Sequence, residues 1–251
     1  MIRKSTEHAL KLIQITLTPA LGLLLLVIGL PTKNHAQPFN RTFTVSPDAS
    51  ALEVVNQIGS IKVTASGANV NPAKIVINAK QDESSSLVNA VQTPDGQVKI
   101  EVKGRSAVDF DILVPPGTKL DLITYKGAIS GFNLTGPLRA RITTEGKIQF
   151  TGIRSSKVEA HSASGDVVFN GEILPNGEYT FKSFSGQVDA TFPANSDFKL
   201  FASSFRGSMD LGDFSMKFDR KTNQLIEAAC GAGRAKVSLW THDGSIHLRR
   251  K

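Results

Sequence analysis

Ser162-Ala163-Ser164-Gly165-Asp166-Val167-Val168-Phe169 and Ser183-Phe184-Ser185-Gly186-Gln187-Val188-Asp189-Ala190 are two copies of one unit: a hydroxyl residue, two spacers, a glycine, then alternation. Earlier copies carry Thr124 with Gly127 and Ile129, and Thr143 with Gly146 and Ile148. Later copies carry Ser204 with Gly207 and Met209, and Thr241 with Gly244 and Ile246. Successive glycines lie 19, 19, 21, 21 and 37 residues apart, so four steps of nearly one length are followed by one insertion. Self-similarity at such a period is the signature of a repeat architecture.

The pattern inside each copy says what the unit is. Two and four residues after the glycine stand Ile148/Phe150, Val167/Phe169, Val188/Ala190 and Ile246/Leu248, with mostly polar residues between them. Seven and five residues before it stand Leu120/Leu122, Val158/Ala160, Tyr179/Phe181, Leu200/Ala202 and Val237/Leu239. Both are period two, the mark of strands with one buried face. Ahead of Gly146 the apolar set shifts to Leu138, Ala140 and Ile142, which predicts a one-residue bulge before that corner.

Two strands and two turns in about 20 residues make one coil of a β-solenoid, with coils stacked ~4.8 Å apart. The expected fold is therefore all-β, a β-solenoid preceded by an N-terminal apolar export helix. Gly127, Gly146, Gly165, Gly186, Gly207 and Gly244 suit corners of positive φ, where a Cβ would clash. The hydroxyl three residues earlier can hydrogen-bond backbone left unpaired at the bend. Antiparallel hairpins in a sandwich are the alternative; the solenoid is preferred because equivalent residues recur at one coil length.

Upstream, residues 51–55, 60–64, 74–79, 97–102 and 108–114 alternate or are β-branched, with turns at Asn71-Pro72, Pro94-Asp95-Gly96 and Pro115-Pro116-Gly117. Gly59-Ser60-Ile61 and Gly96-Gln97-Val98 look like degenerate corners. One domain over 37–251 follows, with 37–108 as irregular first coils and cap and 109–251 as the regular repeats.

Residues 1–36 have the layout of a signal peptide or retained N-terminal anchor: Arg3, Lys4 and Lys11, an apolar stretch from Leu12 to Leu30, then polar residues to Ala36. Four cations and Glu7 in that segment account for +3 of the formal +7, leaving +4 on the body. A nucleic-acid partner is not expected, and membrane contact is expected only through an uncleaved N-terminal segment. Cys230 is the single cysteine, which excludes intrachain disulfides and zinc sites built on paired thiolates.

Val114-Pro115-Pro116-Gly117-Thr118-Lys119-Leu120, the tandem corners, Gly177 to Gly186, and the stretch from Gly231 to Leu248 together resemble the bacterial DUF4097 family, which carries an adhesin label. The resemblance covers residues 109–251. It implies an exported, all-β, solenoid-like domain at the periplasm or cell surface, and it supplies no catalytic residues.

No motif for a nucleophile elbow, a Walker loop or a His-Glu-x-x-His zinc site occurs, and no cofactor or metal site is expected. His161 falls on an outward position. His242 and His247 flank the last corner with Asp243, a weak metal pattern. Asp189 and Asp210 share the third position after their glycines, so consecutive coils would stack them ~4.8 Å apart on an outer face, near the spacing of retaining glycosidase pairs. A solvated face is the preferred reading, with weak calcium binding second. Two residues before the glycine stand Tyr125, Phe184, Phe205 and His242. Packing of these corner aromatics on neighbouring loops is the preferred reading; if the position faces outward, they form an aromatic strip able to bind a surface glycan or an envelope protein. The expected function is a non-enzymatic, exported interaction scaffold. The alternatives are a polysaccharide-active β-helix enzyme and a membrane-anchored envelope-sensing accessory protein.

Overall fold

The computed structural model describes residues 38–46, 50–67, 73–81 and 86–251. The expected export segment and the Asn71-Pro72 turn lie outside them. Among the described residues there are strands and no helix. In chain order the first strands are β1 (Phe39–Thr44), β2 (Ala51–Ile58), β3 (Ile61–Ala65), β4 (Lys74–Gln81), β5 (Leu87–Gln92), β6 (Val98–Lys103) and β7 (Val108–Val114). The repeats supply β8 (Lys119–Lys126), β9 (Ile129–Phe132), β10 (Leu138–Glu145), β11 (Ile148–Ile153), β12 (Lys157–Ser164), β13 (Val167–Gly171), β14 (Glu178–Ser185) and β15 (Val188–Phe192). Then come β16 (Phe198–Arg206), β17 (Met209–Asp210), β18 (Met216–Lys221), β19 (Leu225–Cys230), β20 (Ala235–Asp243) and β21 (Ile246–Arg250).

They form two facing sheets. The first runs β1-β4-β7-β3-β9-β11-β13-β15-β21-β17, and the second runs β18-β19-β16-β20-β14-β12-β10-β8-β2-β6-β5. From β8 to β15 the chain alternates between sheets, and each strand pairs in parallel with its equivalent one coil away. This is the parallel ladder of a solenoid-like fold and not the antiparallel pairing of a hairpin sandwich.

The coils do not stack in chain order. The β6/β7 coil lies outside β2/β3, and the late β20/β21 coil is inserted between β14/β15 and β16/β17. The long gap before Gly244 holds β18 and β19, which fold antiparallel onto the far edge of β16 and leave its near edge to β20.

The inward rows are apolar except three residues before the corner glycines, where Asn56, Thr124, Ser162, Ser183, Ser204 and Thr241 are buried. Phe169 from the first sheet meets Tyr179 and Phe181 from the second, and Phe192 from its own sheet, at ring-centroid distances of 4.8 to 6.2 Å, and Phe198 and Phe214 continue the chain of rings from Phe192. Tyr179 keeps its hydroxyl satisfied inside, donating to the Ser155 carbonyl at 2.7 Å and accepting from the Leu174 N–H at 2.8 Å.

At the corners the glycines form one ladder: Gly59, Gly127, Gly146, Gly165, Gly186, Gly244, Gly207. A Cβ added to any member after Gly59 would run into the carbonyl oxygen of the one before it. Close backbone approach is the shared requirement, because Gly207 and Gly244 make it without the positive φ of Gly127 and Gly165. The hydroxyls close the same gap. Ser162, Ser183, Thr241 and Ser204 donate to the carbonyls of Gly146, Gly165, Gly186 and Gly244 at 2.8 to 3.0 Å. Thr143 drops out because the register shifts between Ile142 and Glu145, the bulge expected from the sequence. Gly59 belongs to the ladder, whereas Gly96 does not: it sits in the antiparallel turn between β5 and β6, where an added Cβ meets nothing.

Candidate functional site

Alternation on β14, β16 and β20 sends Tyr179, Phe181, Leu200, Ala202, Val237 and Leu239 inward and leaves Phe184, Phe205 and His242 on the outer face of the second sheet. Phe184 and Phe205 are 52% and 58% exposed, and Tyr125 is 55% exposed. The inserted coil changes who is next to whom. Phe184 and Phe205 are not on neighbouring coils, as the repeat order implied; β20 runs between them and His242 fills the interval. The imidazole stacks on Phe184 at 4.7 Å with 7° between planes, and on Phe205 at 4.9 Å with 23°. Tyr125 stands apart, since β10 and β12 separate its strand from that of Phe184.

The stacking direction matters chemically. Each inner ring face is covered by its neighbour, so the row offers ring edges and two end faces rather than a broad platform. Trp240, half-buried, lies 6.4 Å from Phe184 on the same outer face. Sequence reasoning missed it, although its offset from Gly244 equals that of His161 from Gly165. Across the same strands, Thr180, Ser238, Phe201, Lys199 and Lys236 line an open hollow of about 430 Å³. Beside the strip, the Arg206 guanidinium holds the Asp243 carboxylate, with Nη2 to Oδ2 at 2.7 Å, and that hydrogen bonding keeps Asp243 below the usual carboxylate range. One side of the row is thereby fixed by a charged pair.

The other sequence candidates are dispersed. His242 is on the second sheet and His247 on the first, so they do not converge on an ion. Among the described residues no three His, Cys, Asp or Glu side chains are grouped to hold a metal. Asp189 and Asp210 are likewise not adjacent: β21 lies between them, and His247 Nδ1 is 2.7 Å from Asp189 Oδ1. Asp210 instead accepts the Gly212 N–H at 3.0 Å. Two strand spacings of ~4.8 Å take the carboxylates outside the range of a retaining pair.

His161 sits in a row between Arg141 and Lys182. Burial first, then the two cations, pushes its imidazole below the ordinary value, with Glu159 opposing. The folded state therefore favours the neutral ring. Its contribution is intact above the unfolded value of about 6.5 and is lost as pH falls below it, because the unfolded chain takes up the proton first. Urea unfolding at pH 7.5 and pH 5 should show a larger loss of stability for the parent chain than for His161→Gln. Equal losses would remove this role.

A family model described as Toastrack DUF4097 matches residues 56–249. Among solved structures the chain is similar to a "putative cell adhesion protein" from Clostridium sporogenes, 13% identical, covering 86% of this chain and 100% of that one with a TM-score of 0.45. It is also similar to a "putative adhesin" from Bacteroides fragilis, 13% identical, covering 86% of this chain and 97% of that one with a TM-score of 0.35. No curated protein matches the chain.

Proposed function

The chain belongs to the Toastrack DUF4097 family, and from that premise we propose that it is a non-enzymatic interaction scaffold of the cell envelope that binds through the Phe184, His242 and Phe205 row. The observation that carries this reading is the row itself: apolar rings more than half exposed, held rigid by strands whose opposite faces are buried. Ordering such a surface costs little on binding, because backbone and rotamers are already fixed. Covered ring faces favour a protein partner over a glycan, since a sugar stacks on an open face while a protein side chain packs equally well against edges. Trp240 and the hollow beside Phe201 extend the face, and the Arg206 and Asp243 pair supplies a polar rim. Placement outside the cytoplasm is part of the proposal and rests on the signal-like pattern of residues 1–36.

The experiment compares the full chain with a Phe184→Ser, Phe205→Ser double variant for binding to isolated cell envelopes, with and without prior protease treatment of the envelopes. The double variant should bind about tenfold more weakly or worse, with little change in thermal unfolding, and protease treatment should abolish binding. Undiminished binding by the double variant would sink the assignment of the row. Binding that survives protease but not glycan removal would replace the protein partner by a sugar. Release of reducing ends, lost in Asp189→Asn, would make the chain an enzyme.

A further inference from the structure

An open sheet has two edges, and their unpaired N–H and C=O groups invite another strand unless something blocks it. Of the described strands, β1 and β17 end the first sheet and β18 and β5 end the second. Three of these carry recognisable blocks. β17 is two residues long. β18 has Lys217, Asp219, Arg220 and Lys221 among its six residues. β1 carries Arg41, whose guanidinium lies over the Phe39 ring.

β5 has none of them. Leu87-Val88-Asn89-Ala90-Val91-Gln92 contains no charge, proline or glycine. Leu87, 66% exposed, is the most exposed large apolar side chain among the described residues, and Val91 on the same face is 43% exposed. Next to it, the outward lysines of β6 are already engaged: Lys99 with Glu53 at 3.2 Å and Lys103 with Glu101 at 3.7 Å.

The strand is also complementary to itself. Directly opposed residues of an antiparallel pair share a face. A second β5 laid antiparallel about Asn89 therefore sets Leu87 against Val91, Val91 against Leu87 and Val88 against Ala90. The two Asn89 amides meet on the axis, where donor and acceptor can be exchanged, and no like charges are opposed. We propose that the chain forms a two-fold dimer through β5, joining two 11-stranded sheets edge to edge. The Phe184, His242 and Phe205 row lies toward the other end of that sheet, so the dimer carries one row on each side of the seam and away from it; resting on the binding role proposed for the row, such a dimer engages a repetitive surface bivalently.

The test uses the full chain. Asn89→Cys places a thiol on the axis, where opposed Cα atoms fall within disulfide range; Cys230 is buried and contributes little background. On mild oxidation, Asn89→Cys should give a covalent dimer at least about tenfold faster than Asp219→Cys on the opposite edge, as read on a non-reducing gel. In sedimentation equilibrium, Asn89→Lys should weaken the dimer by about tenfold or more, and mixing it with Asn89→Glu should restore association, while thermal melts show all variants folded. A parent chain that sediments as a monomer at every concentration would overturn the proposal. So would a dimer indifferent to Asn89→Lys, one lost instead in Phe184→Ser, Phe205→Ser, or equal cross-linking at Asp219→Cys.

Discussion

Gly165→Ala is expected to melt about 10 °C below the parent chain, measured by circular dichroism. The added methyl would run into the Gly146 carbonyl oxygen, and φ at this corner is +123°. The atoms it meets are all backbone of Gly146, with no flexible side chain that can swing away. Each corner is locked to the corners above and below, so relief in one direction creates overlap in the other. Overpacking against backbone costs about 1–3 kcal/mol and the unfavourable φ about as much again. For a chain of this size each kcal/mol moves the midpoint by about 2–4 °C. Gly117→Ala is the control, since an added Cβ there meets nothing and φ is ordinary; it should melt with the parent. A Gly165→Ala midpoint within about 2 °C of the parent would mean that the ladder can relax and does not define the coil.

Phe169→Ala should cost about 3–5 kcal/mol in urea unfolding. Its ring is fully buried and touches Tyr179, Phe181 and Phe192, so truncation leaves a hole bounded by other rings on both sheets. Rigid aromatic walls collapse poorly into such a space, which places the cost toward the upper end. Phe184→Ala is the internal comparison: the same residue type, three positions after buried Phe181, on the opposite face of β14 and half exposed. It should cost well under about 1 kcal/mol. If both substitutions cost the same, the assignment of faces along β14 is wrong.

The inward faces are legible in the sequence. The alternation around each glycine assigns Phe169, Tyr179 and Phe181 to the interior, and the phase break at Ile142 marks the bulge; for Phe184 and Phe205 the pattern favours packing at the corners, and the structure instead leaves both more than half exposed. Period-two patterning is a local property, and both faces of a strand are written within a few residues. The order of the coils was not legible. Every coil offers a neighbour the same glycine, the same hydroxyl and the same apolar row, so nothing in one unit records which other unit it abuts. Two readings failed for this reason alone: Phe184 beside Phe205, and Asp189 beside Asp210. In both, a histidine from the inserted coil stands between. The edge strands β1 and β5 and the β18/β19 hairpin were also missed, because strands exposed on one or both sides carry little apolar periodicity.

The inserted coil also bears on how the molecule is made. A ladder filled from one end could solidify as the chain emerges, each new turn settling on the last. Here β16 must wait, because its place next to β14 belongs to a strand that follows it. During synthesis the growing molecule therefore holds an open slot flanked by two exposed edges, which any passing strand could occupy. Correct assembly depends on β20 and β21 arriving first, and a product cut off before residue 235 is left with a breach in its interior rather than a shorter version of the same stack.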